Sequence, residues 1–278
     1  MPAATKAPSS TDFKALTVEL RVDIIRMIEA AGSGHPGGSL SIIDILAVLY
    51  AKFLRFDAKR PDWNDRDRLI LSKGHGCPAL YAVMSHFGYF PKEELLTLRK
   101  LGSPLQGHPD RLRLPGIEFS SGSLGQGLSV AVGMAIAAKL DKRDTTAYCV
   151  LGDGELQEGQ CWEAFMSAPK FKLDNLVAII DHNNGQIDGP VDEVMPIEPV
   201  EDKLRAFGWD TVKIDGHDFT QIEKALAQAK AAEGKPFAIV AKTIKGKGVS
   251  FMENNIGWHG VAPKKEEADK AVAEILRG

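Results

Sequence analysis

Cysteine is scarce in this chain. Cys77, Cys149 and Cys161 are its only thiols among 278 residues, and no two stand at Cys-x-x-Cys spacing. An odd count without a secretory leader predicts reduced thiols and a cytoplasmic protein, not a disulfide scaffold. Cys149 falls in an apolar run and reads as a small core residue. Net charge is nearly balanced at −3, so no broad basic surface invites nucleic acid. The longest apolar stretch, 128–138, is too short to cross a bilayer, and no membrane partner is expected. The Ala-, Pro- and Ser-rich start lacks the basic and apolar regions of a signal peptide, so residues 1–11 read as a disordered tail. Internal repeats and low-complexity linkers are missing too, which leaves 12–278 as a single domain.

What is present is periodic. Apolar residues make up 44% of the chain, enough for one sizeable core. From Phe13, the residues Leu16, Leu20, Ile24, Ile25 and Ile28 recur at helical spacing. A loop over 32–38 ends that helix, and 41–50 starts another. Residues 68–71 read as a short strand, 78–87 as a helix, and Pro91 opens a further helix where a missing amide hydrogen costs nothing. The span 126–140 is helical and built mostly of small residues, which permits close packing. Strands are expected over 147–151, 176–180, 209–214 and 237–241, with a helix over 219–233. Alternating strand and helix implies an α/β fold, a mainly parallel sheet with helices on both faces.

Two motifs sit just after two of these strands. Gly152-Asp153-Gly154 follows the first, and Asp181-His182-Asn183-Asn184-Gly185 follows the second, with Asn183 thirty positions after Asp153. Either motif alone is more often a turn. Together they place a carboxylate and an amide oxygen at the carboxyl ends of two parallel strands, where open α/β sheets bind ligands. Oxygen donors, a nearby free backbone carbonyl and no thiolate suit Mg²⁺ carrying a phosphate. The glycines beside Asp153 allow a tight turn and close approach of a bulky anion.

This pairing resembles the thiamin-diphosphate fingerprint, and the other motifs narrow the resemblance to transketolases. Ser33-Gly34-His35-Pro36-Gly37-Gly38, Arg66-Asp67-Arg68, Leu71-Ser72-Lys73-Gly74-His75-Gly76, Gly107-His108-Pro109-Asp110, Ser123-Leu124-Gly125-Gln126-Gly127 and the stretch from Lys242 to Gly260 follow in family order. The resemblance implies that Mg²⁺ binds the side-chain oxygens of Asp153 and Asn183 and the carbonyl of Gly185. It places Gly154 on the diphosphate, Gly122, Ser123 and Leu124 beside the cofactor rings, and Ile187 against the thiazolium. It assigns His75 and His259 to the phosphates and reaction centre, His35 and His259 to donor-sugar hydroxyls, and His108 further out. Ser123 stands where many transketolases have proline, and Gly185 where many have a larger residue. His86, His182 and His217 match no catalytic position. For Glu158 two readings stand side by side: a subunit-contact carboxylate, or, with Glu155, a charge complementing a helix start.

Only the first of the three transketolase domains is represented, and nineteen residues follow His259. The glutamate that activates the aminopyrimidine and the sugar-phosphate arginines belong to the second domain in the family. The resemblance therefore implies the amino-terminal subunit of a split transketolase, completed by a separate carboxy-terminal subunit in an α₂β₂ heterotetramer. The implied reaction moves a two-carbon ketol unit from a ketose phosphate to an aldose, in pentose-phosphate or more specialised carbohydrate metabolism. The alternatives are an alpha-type subunit of a 2-oxo-acid dehydrogenase, a deoxyxylulose-phosphate synthase-like chain, and a non-catalytic cofactor-binding subunit.

Overall fold

Five parallel strands run in the order β1-β2-β3-β5-β4 through the centre of the computed structural model, which describes residues 11–278. Residues 1–10 of the expected tail lie outside the described residues. The strands are β1 (Arg68–Leu71), β2 (Ala147–Gly152), β3 (Leu176–His182), β4 (Asp210–Asp215) and β5 (Phe237–Lys242). Every neighbouring pair is parallel. The helices are α1 (Phe13–Ala31), α2 (Pro36–Val48), α3 (Cys77–His86), α4 (Gln126–Leu140), α5 (Gly159–Lys170), α6 (Val191–Val194), α7 (Val200–Phe207), α8 (Phe219–Lys230) and α9 (Lys265–Arg277).

The inner strands β2, β3 and β5 are apolar almost throughout, because both of their faces are covered. Tyr148 and Val150 point into one core with α1, α2, α3, α8 and α9. Cys149 and Leu151 point into the other with α4, α5 and α7. Two-residue alternation along a strand produces this division. The edge strand β4 is only partly buried and correspondingly mixed in polarity. Register pairs Gly152 with Asp181 and Asp181 with Ala241, so the carboxyl ends of β2, β3 and β5 finish side by side.

Three expectations need correction. The glycine-rich loop before the second helix is shorter than its composition suggests: α2 already begins at Pro36, with His35 at its N-cap position. Proline pre-sets the helical φ at that position, and the two glycines after it are required by packing. A Cβ at Gly37 would lie 3.1 Å from the Trp258 carbonyl oxygen, and one at Gly38 3.2 Å from Lys73 Nζ. Secondly, the helix holding 128–138 is too short to cross a membrane, as expected, but among the described residues one helical segment, Pro36–Phe53, is long and apolar enough by length and composition to do so. It is 89% buried inside the fold, so the core accounts for its apolarity. Thirdly, Pro91 opens a 3₁₀ turn over Lys92–Thr97 instead of an α-helix. The Thr97 hydroxyl donates back to the Glu94 carbonyl, and Arg99 at φ 60° ends the turn. The three cysteines are buried and unpaired.

Candidate active site

The aligned strand ends open into a cavity of about 340 Å³. Its walls include His35, His75, His108, Gly122, Leu124, Asp153, Gly154, Asn183, Gly185, Ile187 and His259. One loop tip is fastened to the other by a carboxylate. Asp153 is 1% exposed, and its Oδ2 accepts from the backbone amides of Asn183 at 2.8 Å and Asn184 at 2.5 Å. Its Oδ1 accepts from the Gly154 amide at 2.8 Å. The Asn183 Oδ1 in turn accepts from the Gly185 amide at 3.1 Å. Burial and the nearby Asp181 raise the pKa of Asp153, against the pull of the Gly154 and Asn184 amides. The ionised form therefore gains from any cation brought beside it.

A cation is already close. Lys245, buried to 2% exposure, donates from Nζ to the Gly185 carbonyl at 3.0 Å. The carbonyl expected to be free is thus engaged by an ammonium group. Burial and the like charge of Lys73 push the Lys245 amine down to about 8, although Asp181 and Asp153 pull the other way. Lys73 donates to Asp181 Oδ2 at 2.5 Å and to the Gly38 carbonyl at 3.0 Å. Asp181 also accepts from the hydroxyls of Ser41 and Thr243. Burial disfavours its charge, yet Lys73 and these hydrogen bonds leave its pKa lowered.

Above this floor stand four imidazoles. Ring centroids of His35 lie 5.4 Å from His75, 6.2 Å from His108 and 5.5 Å from His259, and those of His75 and His259 are 5.2 Å apart. Burial and neighbouring cations, Arg99 first, bring His35 down to about 4. Burial, then Lys245, brings His259 to about 3. Burial, then Lys73, lowers His75 well below its ordinary value, and burial with Arg99 lowers His108. All four are neutral at pH 7, able to accept or donate a proton at a hydroxyl. Among the described residues, no set of three His, Cys, Asp or Glu side chains is placed as a metal cage. The available hard donors are the mixed carboxylate, amide and carbonyl oxygens of the two tips.

Several residues sit differently from expectation. Ser123 is exposed and is not among the cavity's lining residues, although Gly122 and Leu124 on either side are. Ile187 reaches the cavity but is 71% exposed. Glu155 does not complement the α5 start: its carboxylate turns inward and accepts from Ser72 Oγ and the amides of Gly125 and Gly152. Glu158 occupies the α5 N-cap position without a side-chain capping bond and lines the cavity. The other histidines are engaged elsewhere, His182 with Glu198, His86 near Glu19, and His217 with Asp44. Lys73, Asp181, Lys245 and Glu155 are site residues that the motifs do not single out. Each lies inside or beside a recognised motif, but nothing in a linear motif tells which of several charges is buried.

The family profile described as "Transketolase, thiamine diphosphate binding domain" matches residues 13–275. The chain belongs to the transketolase family. It is 51% identical over 244 residues to the 6-deoxy-6-sulfo-D-fructose transketolase subunit SqwG of Clostridium sp. (strain MSTE9), covering 88% of this chain and 89% of that one. It is 42% identical to an apulose-4-phosphate transketolase subunit of Phocaeicola vulgatus, over 92% of this chain and 90% of that one. Human transketolase is 44% identical, over 92% of this chain but 41% of its own length. Among solved structures, Campylobacter jejuni transketolase superposes with a TM-score of 0.89 at 39% identity, over 95% of this chain and 42% of that one. The parallel sheet and its helices are thus those of the thiamin-diphosphate-binding part of a transketolase.

Proposed function

We propose that residues 12–278 form the diphosphate-binding half of a two-chain transketolase, holding thiamin diphosphate and Mg²⁺ and transferring a two-carbon ketol unit from a ketose phosphate to an aldose. The observation that carries this reading is the buried Asp153 carboxylate, fastened across two strand tips beneath four neutral imidazoles. The residues fit the cofactor. Asp153, Asn183 and the Gly185 carbonyl supply hard oxygen donors, and a lysine ammonium already rests on the third of them. Gly154 lines the cavity, with its backbone amide donated to Asp153 Oδ1. Among the described residues, His259 lines the cavity and its buried Nδ1 has no hydrogen-bond partner.

When bound, the cofactor supplies a carbanion-stabilising centre. The chain's part is to bind, orient and move protons. Asp153, Asn183 and Gly185 would hold the ion, Lys73 and Lys245 would offset the phosphate charge, and Gly122, Leu124 and Ile187 would flank the rings, with Ser123 at the exposed edge of that loop. His35 and His259 exchange protons with donor hydroxyls, His75 does so closer to the phosphates, and the exposed His108 meets the sugar's far end. A separate carboxy-terminal subunit completes the site in a cytoplasmic α₂β₂ assembly. Two relatives of nearly this chain's full extent, both named as subunits, support that partner. The identity of 51% to a sulfo-sugar transketolase subunit favours a second reading of the donor, a ketose bearing a terminal sulfonate.

The test is an assay of the purified chain with and without the partner chain, offering a ketose phosphate, a sulfo-ketose or pyruvate as donor. Ketol transfer only when both chains are present is the expected result. Full activity from the isolated chain would overturn the split site, and turnover of pyruvate alone would overturn the ketol-transfer reading.

A further inference from the structure

Against the backbone of residues 244–247 lies a second buried ionic group that no cofactor role explains. Arg21 of α1 grips Asp44 of α2 through two bonds, at 2.8 and 2.7 Å. His217, in the turn after β4, meets the same carboxylate from Nδ1 at 2.7 Å. Its other nitrogen, Nε2, accepts from the backbone amide of Ile244 at 2.9 Å. A nitrogen that accepts carries no proton, so the ring is neutral with its hydrogen on Nδ1, donated to Asp44. The tautomer is set by the two partners together.

Ile244 is the residue before Lys245. The strap that follows β5 is gripped at three successive points. His217 takes the amide of Ile244, the Gly37 carbonyl accepts from the amide of Gly246 at 3.0 Å, and Arg21 Nε donates to the Lys247 carbonyl at 3.2 Å. Gly246 turns with φ +80°, and a Cβ there would lie 2.3 Å from the Met252 carbonyl oxygen, so only glycine fits this turn. Lys245 is the one residue of this stretch whose side chain enters the cavity, where it reaches the Gly185 carbonyl. A long, flexible amine is delivered to one place because its backbone is held on both sides.

We propose that Arg21, Asp44 and His217 form a positioning relay that fixes the Lys245 ammonium for cofactor binding, with His217 acting through its bond to the Ile244 amide. The inference rests on the reading of the cavity as a thiamin-diphosphate site. It assigns a role to a histidine that matches no catalytic position, and it makes His217 a positioning residue, since it touches no cavity atom.

Asparagine and glutamine separate the two ends of the imidazole. His217→Asn retains a donor near the Nδ1 position for Asp44 but has nothing to accept from Ile244. His217→Gln places an amide oxygen near the Nε2 position and restores that acceptor. Titration calorimetry of the chain assembled with its carboxy-terminal partner subunit, with thiamin diphosphate at saturating Mg²⁺, reads the consequence. The Asn variant should bind about tenfold more weakly, and the Gln variant within about threefold of wild type. Arg21→Lys, which keeps a charge facing Asp44 but drops the Nε bond to Lys247, should weaken binding about as much as the Asn change. In a Lys245→Met background the Asn substitution should have no further effect, because the group it positions is gone. Asn and Lys variants that bind like wild type would overturn the relay, as would a Gln variant as weak as the Asn one or additive losses with Lys245→Met. A wild-type two-chain assembly that binds no thiamin diphosphate would overturn the cofactor reading itself and the relay with it.

Discussion

Two buried ionic clusters lie on either side of the 244–247 strap, and they differ in completeness. In the Arg21–Asp44–His217 group the acid meets a bidentate guanidinium and an imidazole. Burial opposes the charge of Asp44, yet His217 and Arg21 still bring its pKa below the ordinary value. Across the strap, Asp153 is raised, Lys245 is lowered, and four imidazoles are held neutral. The first cluster satisfies its charges internally and is scaffolding. The second holds a carboxylate and an amine against their burial and leaves His259 Nδ1 without a partner, the condition in which a metal-bound anion brings the most stabilisation.

Substitutions at the two acids should break this contrast in opposite ways. Asp44→Ala removes the partner of a buried Arg21 and should cost about 3–5 kcal/mol of folding stability in urea denaturation. Asp153→Ala should lower stability less than that in the cofactor-free chain, yet weaken thiamin diphosphate and Mg²⁺ binding by about a hundredfold or more in calorimetry. Equal stability losses from both would erase the distinction between scaffold and site. His259→Ala sharpens the comparison within the cavity. Donor cleavage by the two-chain enzyme should fall about tenfold to a hundredfold while Mg²⁺ affinity stays within about threefold, read by single-turnover kinetics beside calorimetry.

The smallest effect is on acid stability. His35 has its pKa depressed from 6.5 to about 4, so between those values the unfolded chain binds protons that the folded chain refuses. Stability is then full above about pH 6.5 and declines as pH falls toward 4. The melting temperature of the cofactor-free chain should follow that slope, and His35→Gln should make it shallower, with the rest carried by His75, His108 and His259. An unchanged slope in the variant would place the acid sensitivity elsewhere.

Much of the fold is legible in the amino-acid sequence. Four of the strands stand out as apolar runs and β4 as a mixed one, and the two motifs at the ends of β2 and β3 mark the cavity, because strand ends and glycine-flanked polar residues leave local signatures. The start of α2 is not legible. Gly37 and Gly38 read as loop residues by propensity, whereas their role comes from Trp258, Lys73 and His75, which the fold brings against them. Lys73 and Asp181 meet across 108 positions, and Asp44 and His217 across 173. Pairings of that kind are created by tertiary packing and have no periodic trace. His217 shows the cost of this: one histidine in a turn looks like a surface group until its partners are known.

Every residue of α2 is enclosed by the fold. A helix without a solvent face cannot rotate or slide to suit a new substrate, and His35 at its head inherits that immobility. Adaptation to different sugars therefore has to be written at the cavity mouth, where His108 and Ile187 stand exposed, and on the surface that meets the second chain.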